Sequence, residues 1–306
     1  MQTQIIDGYQ LARQHQAQLK QQLGELQLVK PIVIAAILFT EDKGSQLYTQ
    51  LKKEMAESLG IEYRVYEFSV LTTETEVLAK IKSLNLDHNV TGIIIQKPWR
   101  KTWLEAYQVS NTSPDKQAFD IWWQHLVSSL AEHKDVDGLH PSNLTTLATG
   151  DWLSQGRVLP ATCQATIRLL EQAFKTEHLF ADLRNSHLKT IILGKSDLLG
   201  QPLFTILSAK KCEVEMIGSQ ELKFRIEQQK YLKDADVVIS ATGRKNLITG
   251  DLLRKGCVVI DVGEPQGDVD LNSVLGIALA VTPVPGGVGP MTVVSLMENA
   301  IKLAQR

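Results

Sequence analysis

Tyr48 and Lys52 stand four residues apart in the run Gly44-Ser-Gln-Leu-Tyr-Thr-Gln-Leu-Lys52. On a helix, side chains at that spacing share one face, so a phenol and an amine converge on one point and can position a small molecule or move a proton. The same pair is also the ordinary composition of a solvated face. Gln96 closes the apolar run that starts at Val90, and an amide at the end of a buried strand needs a partner or a task. Lys134-Asp-Val-Asp-Gly138 reads as a charged turn ended by glycine. A different chemistry is implied by Gly194-Lys-Ser-Asp-Leu-Leu-Gly200, where an apolar run enters a glycine-bounded turn that opens a helix. Free N–H groups and the helix dipole converge there, as a pyrophosphate requires, although the run is not G-x-G-x-x-G. Near the end, Val281-Thr-Pro-Val-Pro-Gly-Gly-Val-Gly-Pro-Met-Thr292 mixes residues that fix φ with residues that let backbone approach a ligand closely.

The elements that must carry these groups follow from periodicity. Ile5, Ile6, Tyr9, Ala12, Leu19, Leu23 and Leu26 fit one face of a glutamine-rich helix that Pro31 ends. Ile32 to Phe39 is a strand, Ser45 to Leu59 a helix closed by Gly60, and Glu62 to Phe68 an alternating strand. Thr73 with Glu76 forms a capping box for a helix to about Leu84, and Val90 to Gln96 is the next strand. Apolar spacing at Phe119, Trp122, Trp123, Leu126 and Leu130 predicts a helix. After the turn region Gly150 to Gly156, Thr162 is placed to cap a helix through Phe174. Strands follow at Thr190 to Leu193, Val214 to Ile217, Val237 to Ser240 and Cys257 to Asp261, with a helix from Gly200 to Leu207. A last helix starts at Pro290, proline being acceptable at a first helical position. Alternating strands and helices predict parallel α/β sheets.

A chain of 306 residues exceeds one typical core, which predicts two domains. The expected division is 1–150 with a C-terminal helix 286–306 returning to it, and 151–285 as a Rossmann-like doubly wound parallel sheet. A net charge of −2 carries no electrostatic footprint for nucleic acid or an anionic membrane. The opening Met1-Gln-Thr-Gln-Ile-Ile-Asp-Gly reads as no signal peptide, and Ile32 to Phe39 is too short to span a bilayer. Cys163, Cys212 and Cys257 are scattered without metal-ligand spacing, which fits a reducing cytoplasm and no metal.

From about residue 30 to the end the chain resembles the bifunctional methylenetetrahydrofolate dehydrogenase/methenyltetrahydrofolate cyclohydrolase family, and Pro283 to Thr292 is nearly letter-perfect. The resemblance gives the motifs roles. Ser45-x-x-Tyr48-x-x-x-Lys52 reproduces the family's catalytic spacing, with Gln96 orienting Lys52 and Asp137 binding the pterin. Backbone of Pro283, Gly286, Gly287 and Val288 would read the folate. Gly194, Ser196, Gly200 and Pro202 match G-R-S-x-x-V-G-x-P, while Thr242 and Gly243 would line the nicotinamide side. The implied reaction is oxidation of 5,10-methylenetetrahydrofolate, then water attack on the methenyl cation assisted by Lys52 and positioned by Tyr48. Lysine serves near neutral pH only with a lowered pKa, and desolvation and a developing cation act in that direction. Homodimerisation through the nucleotide domains is a further expectation from the family.

The chain also departs from the family. Lys195 replaces an arginine near the adenosine 2′-phosphate, keeping the charge without the planar fork. The strand tip Gly218-Ser219-Gln220 has no acid for a 2′-hydroxyl, and Ser219 matches a serine near the 2′-phosphate, so NADP is expected over NAD despite Glu213 and Glu215 nearby. Q-L-P-L-P becomes Gln96-Lys-Pro-Trp-Arg100, P-C-T-P becomes Pro160-Ala-Thr-Cys163, a leading proline becomes Glu132, and D-V-G-I-N becomes Asp261-Val-Gly-Glu-Pro265. Residues 101–133 look like an insertion, read as a peripheral helix or oligomer contact. Four readings follow: the bifunctional enzyme, an enzyme of one reaction, a silent folate- or nucleotide-binding protein if Lys97, Trp99 and the insertion close the cleft, and a dehydrogenase for another substrate.

Overall fold

The computed structural model describes residues 2–109, 116–152, 154–263 and 266–306. Met1 of the opening segment, 110–115 of the inferred insertion, Leu153 in the turn region and Glu264 with Pro265 in the altered Asp261 loop lie outside the described residues.

The chain opens with β1 (Gln4–Ile5), α1 (Gly8–Glu25), β2 (Val33–Phe39), α2 (Lys43–Ser58), β3 (Glu62–Phe68), α3 (Glu74–Leu86) and β4 (Gly92–Ile95). Then come α4 (Arg100–Val109), α5 (Lys116–Ser128), α6 (Pro141–Leu147), α7 (Ala161–Phe174), α8 (Leu179–Asn185) and β5 (Thr190–Leu193). The remainder comprises α9 (Gly200–Ala209), β6 (Val214–Ile217), α10 (Ser219–Glu227), β7 (Val237–Ser240), β8 (Val258–Asp261), α11 (Leu271–Val274), β9 (Ala280–Val281) and α12 (Val288–Ala304). Contacts divide the chain into one unit of Gln16–Leu144 with Leu296–Arg306 and another of Met1–His15 with Thr145–Ser295. Among the described residues, no helix is long and apolar enough to cross a membrane.

In the first of these units, β3-β2-β4 form a parallel sheet with β2 central. All seven residues of β2 are buried, which is why its sequence runs apolar without alternation. The predicted capping box is present: Thr73 Oγ1 accepts from the Glu76 N–H at 3.3 Å, and the Thr73 N–H donates to Glu76 Oε2 at 3.2 Å. The sheet extends as Asp135 bridges to Ile93, and Gly92 makes room, since a Cβ there would lie 3.0 Å from the Val136 Cβ. Asn299 in the second half of α12 donates to the Val136 carbonyl at 3.0 Å, tying the end of the chain into this unit. The helix predicted around Phe119 is α5, which holds four of the marker residues and ends before Leu130; all five are buried.

The other unit holds a wholly parallel sheet of order β1-β9-β8-β7-β5-β6. Strand order reverses between β5 and β7, and ligands of doubly wound sheets lie outside the carboxyl ends at such a point. Three expectations need correction. Ile5 lies in a short strand paired with Val281, and Ile6 follows it, so α1 begins only at Gly8. Thr162 does not cap α7, which starts at Ala161 directly after Pro160. The last helix starts at Val288, which puts Pro290 third, where its missing N–H still has no intrahelical acceptor to lose.

Candidate active site

Asp42 fixes the start of α2. Its Oδ1 accepts from the Gly44 N–H at 3.1 Å, and its Oδ2 accepts from Ser45 Oγ at 2.8 Å and the Trp99 N–H at 2.8 Å. One carboxylate thus caps the helix and anchors the chain that leaves β4. The inward face of α2 is Ser45, Thr49, Lys52 and Ala56, mostly polar where an ordinary amphipathic helix would be apolar. Lys52 is 6% exposed, and its Nζ donates to Gln96 Oε1 at 2.7 Å. Ser45 Oγ also donates to the Lys97 carbonyl at 3.2 Å. Tyr48 is half-buried one turn before Lys52.

The run Lys134 to Gly138 separates fold from site. Lys134 Nζ donates to the carbonyls of Leu84 and Asp87, at 2.9 and 2.6 Å. Asp135 accepts from the N–H groups of Gly138 and His140, at 3.0 and 2.7 Å. Burial pushes the Asp135 carboxyl up to about 7, and the neighbouring Asp137 charge adds to the rise. Both residues are consumed by the loop. Asp137 remains available beside Lys52: burial raises its pKa, and the Lys52 charge opposes that rise. Sequence reasoning missed Tyr63, whose hydroxyl is buried without a hydrogen-bond partner among the described residues. Burial, then the charge of Asp137, raises its pKa. Its place in an alternating strand marks it only as core.

The residues beyond Gln96 pack against α5. Lys97 Nζ lies over the rings of Trp123 and Phe119, at 4.9 and 5.6 Å from their centroids. Trp103, Phe119 and Trp122 pack together, and Trp122 meets Phe39 at the end of β2 at 5.1 Å. The helix pair α4–α5 is therefore built into the core at the carboxyl end of this sheet and is not peripheral. Trp99 leans on Gly44, whose Cβ position would be 3.2 Å from the indole Nε1.

In the nucleotide-side unit, the turn after β5 is a backbone cradle. Gly194 has φ +109°, and a Cβ there would lie 2.4 Å from the Ala241 carbonyl oxygen; one at Gly200 would lie 2.0 Å from the Gly194 oxygen. Ser196 Oγ accepts from the Gly200 N–H at 3.4 Å. After β7, Asp268 gathers the facing loop: its carboxylate accepts from Ser240 Oγ, the Thr242 N–H and hydroxyl, and the Arg244 N–H, at 2.6 to 2.9 Å. Thr242 and Gly243 are thereby fixed opposite Gly194, at the reversal in strand order. Glu215 is engaged elsewhere, bonded to Arg225 at 2.6 Å and Lys189 at 2.9 Å. The tip of β6 does carry an acid, one residue beyond the stretch read for it. Glu221 Oε2 accepts from the Gly218 N–H at 3.1 Å, and its other oxygen pairs with Lys195 Nζ. Ser219 opens α10 beside them.

The Pro283–Val288 loop is shaped in the same unit by the start of the chain. The Gly8 N–H donates to the Gly286 carbonyl at 2.8 Å, and a Cβ on Gly8 would lie 1.8 Å from the Gly287 oxygen. Gly286 has φ +102° and lies against the Tyr9 ring, Val288 is buried, and the Val284–Pro285 bond is cis. No local signal marks Gly8 for this task, because its partner lies at the other end of the sequence.

These two sites, an amine held by an amide beside a carboxylate and a glycine cradle at a strand-order reversal, define a two-unit α/β enzyme with a nucleotide crevice. Residues 6–118 match the catalytic domain of tetrahydrofolate dehydrogenase/cyclohydrolase, and residues 160–306 match its NAD(P)-binding domain. The chain belongs to the tetrahydrofolate dehydrogenase/cyclohydrolase family. It is 32% identical to the bifunctional protein FolD of Staphylococcus aureus strain JH9, over 98% of this chain and 96% of that one. The crystal structure of bifunctional FolD from Campylobacter jejuni is 30% identical, with a TM-score of 0.79 and 99% of each chain covered. The Trypanosoma brucei enzyme, solved with NADP and an inhibitor, is 25% identical with a TM-score of 0.83, covering 100% of this chain and 98% of that one.

Proposed function

We propose that this chain oxidises 5,10-methylenetetrahydrofolate with NADP and hydrolyses the resulting methenyl-folate to 10-formyltetrahydrofolate. The observation that carries the reading is the buried Lys52 ammonium bonded to Gln96 at 2.7 Å, on a polar helix face next to Asp137. A buried lysine without a task would be replaced at little loss by an apolar residue. NADP fits the turn of Gly194, Ser196 and Gly200, because it opens α9 without a side-chain cap and leaves helix N–H groups and the dipole for a pyrophosphate. When bound, it supplies the nicotinamide that accepts a hydride. Thr242 and Gly243, fixed by Asp268, line that side of the groove, and Lys195 and Ser219 are assigned to the adenosine end.

In the hydrolytic half, Lys52 Nζ, as the neutral amine, takes a proton from the water whose oxygen bonds to the methenyl carbon, N5 receives a proton as its bond to that carbon breaks, and Gln96 holds the amine in place. Tyr48 and Ser45 position the folate. Asp137 accepts from the pterin edge. The reading carries with it a cytoplasmic homodimer that supplies one-carbon units to purine biosynthesis and has no nucleic-acid or membrane partner. The turn of Lys97 towards Trp123 and Phe119 counts against a silent binding protein with a closed cleft.

The test uses absorbance of the methenyl-folate band in two cuvettes. Methylenetetrahydrofolate with NADP should generate the band, and methenyltetrahydrofolate alone should lose it faster than in buffer. Loss in the second cuvette without gain in the first would restrict the function to hydrolysis. Silence in both would refute the reading.

A further inference from the structure

A doubly wound sheet meets the adenosine ribose at the tip of its second strand, where an acid suits a 2′-hydroxyl and a base suits a 2′-phosphate. Here both are present and bound to each other. Lys195 follows β5 and Glu221 lies in the first turn of α10. Their side chains meet over Gly218: a Cβ on that glycine would lie 3.0 Å from Glu221 Oε2 and 3.4 Å from the Lys195 Cε. Glu221 closes the arrangement by accepting from the Gly218 N–H, and the pairing with Lys195 holds its carboxyl below the usual carboxylate range. The pair is half-exposed, 44% for Lys195 and 48% for Glu221, so an incoming anion can reach it.

Resting on the proposed NADP-dependent reading, we propose that Glu221 sets cofactor discrimination by holding Lys195 over Gly218 and competing with an adenosine 2′-phosphate for that ammonium. A nucleotide with a 2′-phosphate must take Lys195 from Glu221 and leave a carboxylate beside its own charge. A nucleotide with a free 2′-hydroxyl meets an acceptor already in place. Glu221 is thus a specificity residue that narrows the preference for the phosphorylated cofactor.

Binding of two fragments, 2′,5′-ADP and 5′-AMP, measured by calorimetry on the full chain, separates this from a capping role. Glu221→Gln keeps an oxygen that can accept from the Gly218 N–H and removes the charge. It should tighten 2′,5′-ADP about three- to fivefold, the upper end of the scale of one exposed ion pair, and leave 5′-AMP unchanged or weaker. Lys195→Met should weaken 2′,5′-ADP alone. If Glu221→Gln leaves the ratio of the two affinities unchanged, Glu221 only caps the helix and the proposal is overturned. If the unaltered protein binds neither fragment, the nucleotide site itself is refuted and this inference with it.

Discussion

Replacing Lys52 by methionine separates chemistry from fold. The side chain is 6% exposed and its ammonium makes a charge-assisted bond of 2.7 Å to Gln96. That bond contributes about 1.5–3 kcal/mol, but the buried ammonium carries a desolvation penalty of several kcal/mol, which methionine of similar length removes. The two effects nearly cancel, leaving a change of about 1–2 kcal/mol in either sign, or a few degrees in Tm for units of this size. The chemical step has no such compensation. Losing a positioned acid–base group lowers turnover about 10²–10⁴-fold, or roughly 3–5 kcal/mol in the barrier. The assay is decay of the methenyl band at saturating substrate, run beside a thermal melt and a 2′,5′-ADP titration. Hydrolysis should fall by at least about 10²-fold, while nucleotide affinity holds, because the Gly194–Gly200 cradle belongs to the other unit. Gln96→Ala, which removes only the orienting amide, should fall between the two. Hydrolysis within about tenfold of the unaltered protein, with melting intact, would refute the role of Lys52.

Three further outcomes follow from the geometry. Gly200→Ala puts a methyl group 2.0 Å from the Gly194 oxygen, so we expect a loss of about 1–3 kcal/mol or more and no measurable NADP binding, read by melt and titration. Asp268→Ala leaves four donors without their acceptor in a fully buried position; stability should drop by about 3–5 kcal/mol, read by urea unfolding. Burial holds the carboxyls of Asp135 at about 7 and Asp261 at about 6, above about 4 in an unfolded chain. The folded protein therefore holds these protons more tightly. Their stabilising contribution is full below about pH 4 and is lost as pH rises through 6 to 7, so urea midpoints should decline over that window. His140, held below its usual value by burial, acts in the opposite sense with at most one proton.

How much of this was legible depended on whether the deciding contact was local. Strands at Thr190, Val214 and Val237 were readable to the residue, since the first and third are short, mostly apolar runs and the second is a short stretch of Val, Met and Ile around one Glu. The Thr73–Glu76 box is local chemistry by definition and was equally visible. By contrast, β1 and β9 are two-residue strands, too short for periodicity to register, and β1 exists only because it pairs with β9 across 276 positions. Ile5 and Ile6 were read as helical for that reason. Gly8 was unreadable on the same ground, as its constraint is the Gly287 carbonyl.

The site shows the same rule in a finer form. Tyr48 and Lys52 could be picked out as types at a spacing and Gln96 as the polar end of a buried strand, but only the family resemblance, not the residues themselves, set Asp137 apart from Asp135. That distinction comes from which carboxylate has backbone donors: Asp135 holds two and is spent on the turn. Lys97, unfavourable beside a cleft when taken alone, makes sense only with the rings of Phe119 and Trp123 that α5 supplies. Glu221 was overlooked because the strand tip was read to Gln220, and a helical first turn folds the next side chain back onto Gly218. Residues at a ligand crevice are thus best read in pairs that compete for one partner. Lys195 alone predicts a phosphate site, Glu221 alone predicts a hydroxyl site, and their contact makes discrimination between the two a property of the pair.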